Sequence, residues 1–119
     1  MKKYKVIIEV PAEFDLREAM RYITKTLKEP ATASRIYRSI KDKILRLDQM
    51  PLRFPLVRDK ALAARGLHWM PAENYSVFYV VDENESTVNV LRILYSRREW
   101  QTLLYETASD GNASDKEKH

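Results

Sequence analysis

The side chains of this chain that could do chemistry are few, and their types narrow the chemistry at once. There is no Cys, and of the two His only His68 lies inside the chain, because His119 is its last residue. Disulfides, zinc–thiolate sites, iron–sulfur clusters, thiol nucleophiles and HExxH sites are excluded, and no metal is expected. Glycine occurs only at Gly66 and Gly111, so neither a P-loop nor a G-x-G-x-x-G turn can be written, and no cofactor is expected. Catalysis would have to run on Arg, Lys, Tyr, Glu, Asp or Ser, with one histidine in support.

Each candidate has a plainer structural reading beside the chemical one. Arg65, just before Gly66, either reaches a ligand or is an ordinary loop arginine. His68, beside Trp69 on a predicted strand, is either a proton-transfer group or a half-buried polar residue bonded to backbone. Arg92 stands on an otherwise apolar strand face, as a pocket cation, the partner of a core carboxylate, or a residue at the sheet edge. Arg97 and Arg98, just past a strand end, suit contact with phosphate, or else cap the strand and keep the surface soluble. Tyr75 and Tyr79 fit core packing better than base stacking, and Tyr37 and Trp100 fit packing anchors.

The elements that must position these residues follow from hydrophobic period. Tyr4, Val6, Ile8 and Val10 alternate as a strand that Pro11 ends. Leu16, Ala19, Met20, Ile23 and Leu27 share one face of a helix. After Pro30, a second helix carries Ala33, Ile36, Tyr37, Ile40, Ile44 and Leu47 inward, so the two form an antiparallel hairpin. Met50 to Pro55 is a loop, Leu62 to Met70 a candidate strand approached through Gly66, and Tyr75 to Val81 a buried strand. Asp82 to Ser86 is a turn, Thr87 to Tyr95 closes a meander, and 97–105 supplies a helical turn or two. The order has no βαβ alternation. It predicts an α+β fold with an N-terminal strand, an antiparallel helical hairpin, a three-stranded antiparallel meander and a short C-terminal helix.

Charge divides the chain as well. In 119 residues Lys and Arg outnumber Asp and Glu by 21 to 17. The segment from Glu106 to His119 carries −2 and the body from 1 to 105 carries +6. Nine bases between Arg35 and Arg65 face three acids, a density that suits an anionic partner or a solvated helix face. One domain over 1–105 and a polar, disordered tail over 106–119 are expected. The opening MKKYKVIIEV is too short and too interrupted by charge for a signal or membrane segment, so a cytoplasmic protein with no membrane contact is expected.

Five pieces in order resemble the RelE/ParE superfamily of toxins from type II toxin–antitoxin modules, the plasmid-stabilisation type included. They are the first strand with Asp15-Leu16 and Tyr22-Ile23, then Pro30-Ala31 with the basic second helix, and Leu47 with Pro51, similar to an L-x-x-x-P helix end. The segment from Met70 to Tyr79 is similar to L-P-x-x-N-Y-x-x-F-Y, and Ile93 to Glu99 is similar to V-L-H-x-x-R-D. The resemblance implies a growth inhibitor silenced by a cognate antitoxin in a toxin–antitoxin hetero-oligomer.

Two activities follow from it. RelE-like members cleave mRNA in the ribosome by attack of a ribose 2′-hydroxyl on the adjacent phosphate, which needs charge stabilisation and proton transfer. The expectation is this endoribonuclease, carried by Arg65, His68, Arg92, Tyr95, Arg97 and Arg98, with Tyr95 where many relatives have histidine. The alternatives are a ParE-like, non-enzymatic inhibitor of DNA gyrase, or a member that only binds antitoxin. Ser76, where RelE is expected to carry arginine, and the Met70 to Tyr79 segment favour the ParE side.

Overall fold

The computed structural model describes residues 2–96 and 103–107. Strands β1 (Lys5–Ile8), β2 (His68–Ala72), β3 (Tyr75–Asp82) and β4 (Thr87–Tyr95) form one sheet in the order β1-β4-β3-β2. The last three are an antiparallel meander, as the alternation predicts, and β1 lies parallel to β4 with Ile8 beside Val90. Parallel neighbours need a connection longer than a hairpin turn, and the helical half of the chain supplies it.

Helix α1 (Val10–Arg21) starts on Pro11 and buries Ala12 and Leu16. Its end widens into a π-helical turn, Tyr22–Thr26. The wider turn breaks the 3.6 period on which Leu27 was placed inside, and Leu27 emerges 49% exposed while Ile23 stays buried. Helix α2 (Pro30–Leu45) buries Ala33, Ile40 and Ile44, but Tyr37, expected on the same stripe, is 41% exposed.

The candidate strand over Leu62 to Met70 is instead a short helix, α3 (Lys60–Ala64), followed by β2. Asp59 caps α3 by accepting the Leu62 N–H at 3.1 Å. Gly66, at φ +81°, then turns the chain out of the helix, a conformation that favours glycine. Capping and an alanine-rich turn outweigh the apolar run that suggested a strand.

The sheet is covered on both faces. Against α1 and α2 it buries Met70, Val77, Tyr79, Val88, Val90 and Ile93. On the other face Phe78 and Leu94 pack with Leu62 and Leu104. Tyr79 is fully buried, and its hydroxyl donates to the Pro51 carbonyl at 2.6 Å. Burial pushes this phenol up to about 12, so it is a fixed donor at neutral pH. Residues 103–107 are helical. The Tyr105 hydroxyl donates to Asp59 Oδ1 at 2.6 Å, and Arg92 Nη1 donates to Thr107 Oγ1 at 2.8 Å. The helical segment thus extends past Tyr105 into the stretch read as tail.

The Asp59 carboxyl is held below the ordinary aspartate value, first by the Tyr105 hydroxyl and then by the Leu62 amide. A depressed carboxyl stabilises the fold above its unfolded pKa, and the contribution is lost as pH falls through the folded value. Tyr105→Phe should therefore lower the urea midpoint at pH 7, and its deficit should shrink below about pH 4. A deficit of constant size down to about pH 2 would refute this role.

Candidate functional site

Strand β1 stops at Ile8, short of the end of β4, and α1 starts two residues later. The rest of the β4 edge has no strand beside it. Asp15, in the second turn of α1, fills the gap: its Oδ2 accepts the Ile93 N–H at 3.0 Å. The same carboxylate holds Arg92 through two bonds, Nε to Oδ2 at 2.7 Å and Nη2 to Oδ1 at 2.8 Å. Side chains of the pair are 16% and 8% exposed, and the Asp15 hydrogen bonds raise the Arg92 pKa further above its ordinary value. Of the three readings open for Arg92, the carboxylate partner is the one observed, at a sheet edge.

This pair forms one wall of a groove of about 810 Å³ between α1, the start of α2 and the ends of β3 and β4. Phe14, Tyr22, Leu27, Ile36, Tyr75 and Tyr95 supply its apolar surface. Phe14 and Tyr22 are 55% and 54% exposed. Tyr75 and Tyr95 meet edge to face, with centroids 5.7 Å apart, and burial raises the Tyr75 pKa. Exposed aromatics around a concave floor make a seat for an apolar partner.

The candidate site residues do not converge here. Arg92 and Tyr95 line the groove. His68 is buried at the other end of the same sheet face, where its Nδ1 lies 2.8 Å from the Phe54 carbonyl and its ring stacks on Tyr79 at 5.2 Å. A carbonyl only accepts, so Nδ1 carries the proton. His68 pairs with Tyr79 and Tyr95 with Tyr75. That is four residues along β3, a separation of about 13 Å. Arg65 ends α3, which packs on the opposite face. Arg97 and Arg98 lie outside the described residues. Ser76 is buried, 3.2 Å from the Ser96 hydroxyl. Among the described residues, no group of three or more His, Asp or Glu is placed to hold a metal, and no helix is long and apolar enough to cross a membrane.

The sequence reading missed Asp15 as a partner and Phe14 and Tyr22 as surface groups. Asp15 did carry a signal, being an acid beside Leu16 at the border of an inner stripe. Phe14 falls off that stripe, and its period predicts exposure without saying what it faces.

The model of the ParE toxin of type II toxin–antitoxin systems matches residues 6–100. A chain of the toxin–antitoxin complex RelBE2 from Mycobacterium tuberculosis is 26% identical, with a TM-score of 0.57 over 80% of this chain and 93% of that one. The chromosomal ParDE system of P. aeruginosa gives 17% identity and a TM-score of 0.64, over 78% and 96%. A mutant of E. coli toxin RelE in the free state gives 16% and 0.53, over 90% and 92%. No curated protein matches the sequence.

Removing one member of a buried, hydrogen-bonded pair strands the other. Asp15→Ala should lower unfolding free energy by about 3 kcal/mol, and adding Arg92→Met should recover part of the loss. Urea unfolding of the three proteins measures both. A double variant no more stable than Asp15→Ala would show that the loss does not come from an uncompensated guanidinium.

Proposed function

The chain belongs to the ParE toxin family of type II toxin–antitoxin systems, and on that premise we propose that it arrests growth by binding DNA gyrase, without cleaving nucleic acid, until a cognate antitoxin covers it. The observation that carries this reading over ribonuclease action is the scatter of the candidate residues. Arg92 is bound to Asp15, His68 donates Nδ1–H to a backbone carbonyl, and the strand register holds His68 away from Tyr95. Self-cleavage of RNA by 2′-hydroxyl attack needs a base, an acid and a cation around one phosphate. His68, Arg92 and Tyr95 do not supply that set. Inhibition by binding needs only a shaped surface.

The aromatic groove is the seat that suits the antitoxin. An antitoxin strand or helix laid across the hairpin and the sheet would insert apolar anchors between Tyr22, Phe14 and Tyr95. Relatives described as RelBE2 and ParDE are toxin–antitoxin assemblies, which supports a partner of this kind.

Purified toxin is expected to block supercoiling by gyrase, and to leave transcripts whole in a translating extract. Cleaved transcripts together with unaffected supercoiling at saturating toxin would overturn the proposal in favour of the ribonuclease. Separately, Phe14→Ala and Tyr22→Ala should each weaken antitoxin binding by more than tenfold, as loss of central aromatic anchors commonly does (about 2 kcal/mol), with little change in thermal stability. Calorimetric titration of the antitoxin measures this. Undiminished affinity in both variants would move the antitoxin elsewhere on the fold.

A further inference from the structure

A second cleft lies on the opposite side of α1, in the furrow between α1 and α2. It measures about 420 Å³, and its floor is Leu16, Met20 and Ala33. Three cations line it, Arg17, Arg38 and Lys41, against one acid, Glu13. Arg17 approaches Glu13 only at 3.7 Å across an exposed surface, a contact of small worth. Lys41 Nζ lies over the Tyr37 ring at 5.2 Å and donates to its hydroxyl at 3.3 Å. Arg38 is exposed and has no ion-pair or hydrogen-bond partner among the described residues. Thr24 and Ser34 add hydroxyls to the rim.

The combination has a chemical meaning. A surface that only needed solubility would scatter its cations, each beside water or an acid. Here three converge on one concavity with an aromatic ring that is 41% exposed. Several cations beside an aromatic ring are what a nucleic-acid strand requires, phosphates on the guanidinium and ammonium groups and a base or sugar against the ring. The surrounding charge acts in the same sense: residues 10 to 46 hold nine bases and five acids, and one of those acids, Asp15, is committed to Arg92. A polyacidic peptide would satisfy the cations but offers no planar group to the exposed Tyr37 ring. We infer that the furrow between α1 and α2 is a binding site for the sugar–phosphate backbone of a nucleic acid, with Arg17, Arg38 and Lys41 as phosphate contacts and Tyr37 as the stacking face. The site is independent of the aromatic groove and of which target the toxin arrests.

Fluorescence anisotropy of the full chain with labelled 20-nucleotide probes tests it, using single-stranded DNA, single-stranded RNA and duplex DNA in separate arms, and a polyglutamate peptide of equal charge as competitor. Changing Arg17, Arg38 and Lys41 to Gln should weaken binding at least tenfold. It should flatten the plot of log affinity against log salt by about 2 for single strands or about 3 for the duplex. A matched variant with Lys5, Lys25 and Lys28 changed to Gln removes the same charge outside the cleft and should lose far less. Tyr37→Leu should weaken single strands more than duplex. Thermal melts confirm that each variant folds, and Arg38→Gln alone, at an exposed unpartnered position, serves if the triple variant does not. The inference is overturned if no probe binds, if the two triple variants lose affinity equally, or if polyglutamate competes as well as the oligonucleotides.

Discussion

A strand that ends early leaves backbone groups with no neighbour, and in this fold the debt falls on the β4 edge beyond Val90. Asp15 meets it by accepting the Ile93 N–H. A lone carboxylate there would be costly to bury, and Arg92 makes it affordable by pairing through two nitrogens. The consequences spread outward. Because Asp15 must reach the edge, α1 is fixed in rotation, which turns Leu16 into the core and Phe14 toward solvent. Because the guanidinium lies in the sheet edge, its remaining nitrogen reaches Thr107, so the helical segment at 103–107 is tied to the same pair. One ion pair thereby sets the angle of the hairpin, one wall of the aromatic groove and a fastening of the C-terminal segment.

The other buried polar groups are absorbed in the same manner, by fixed local partners. The Tyr79 hydroxyl donates a hydrogen bond to the Pro51 carbonyl, His68 Nδ1–H donates one to the Phe54 carbonyl, and the two rings stack. Both carbonyls belong to the segment that links the hairpin to the sheet, a stretch with little regular structure to satisfy its own backbone. The two side chains therefore anchor that connection against the sheet. A histidine used this way has one nitrogen committed and its ring clamped, which suits a structural member better than a proton shuttle.

Alternation and helical period made most of the architecture legible. The strand over Thr87 to Tyr95 was recovered with its boundaries, and the hairpin and meander were recovered as elements. Errors arose where local geometry departed from an ideal period. A π turn displaced Leu27, and an Asp cap converted an apolar run near Leu62 into α3. The parallel pairing of β1 could not be read, since pairing partners far apart in sequence leave no trace in either strand. For the site, residue types said which side chains were unusual but not what they met. Arg92 was conspicuous as a cation on an apolar face, and its partner 77 positions away became visible only in three dimensions. The aromatic groove was hidden for a related reason: an exposed Phe or Tyr on a helix is ordinary until the fold places several around one hollow.

Helix α1 separates two surfaces of opposite chemistry. Glu13, Arg17 and Met20 fall on one side of it, toward the cationic furrow, whereas Phe14, Glu18 and Tyr22 fall on the other, toward the aromatic groove. The division follows from the 3.6-residue period, which turns residues 13, 17 and 20 about 110° around the axis from 14 and 18, while Tyr22 opens the π turn that follows. A partner anchored by aromatic contacts therefore need not cover the cations, and a ligand held by cations need not displace the partner. The body's charge belongs to this division. Arg17, Arg38 and Lys41 line the furrow, whereas the groove's lining cation, Arg92, is neutralised by Asp15, so charge attraction and apolar packing are exerted at different hollows of the same pair of helices.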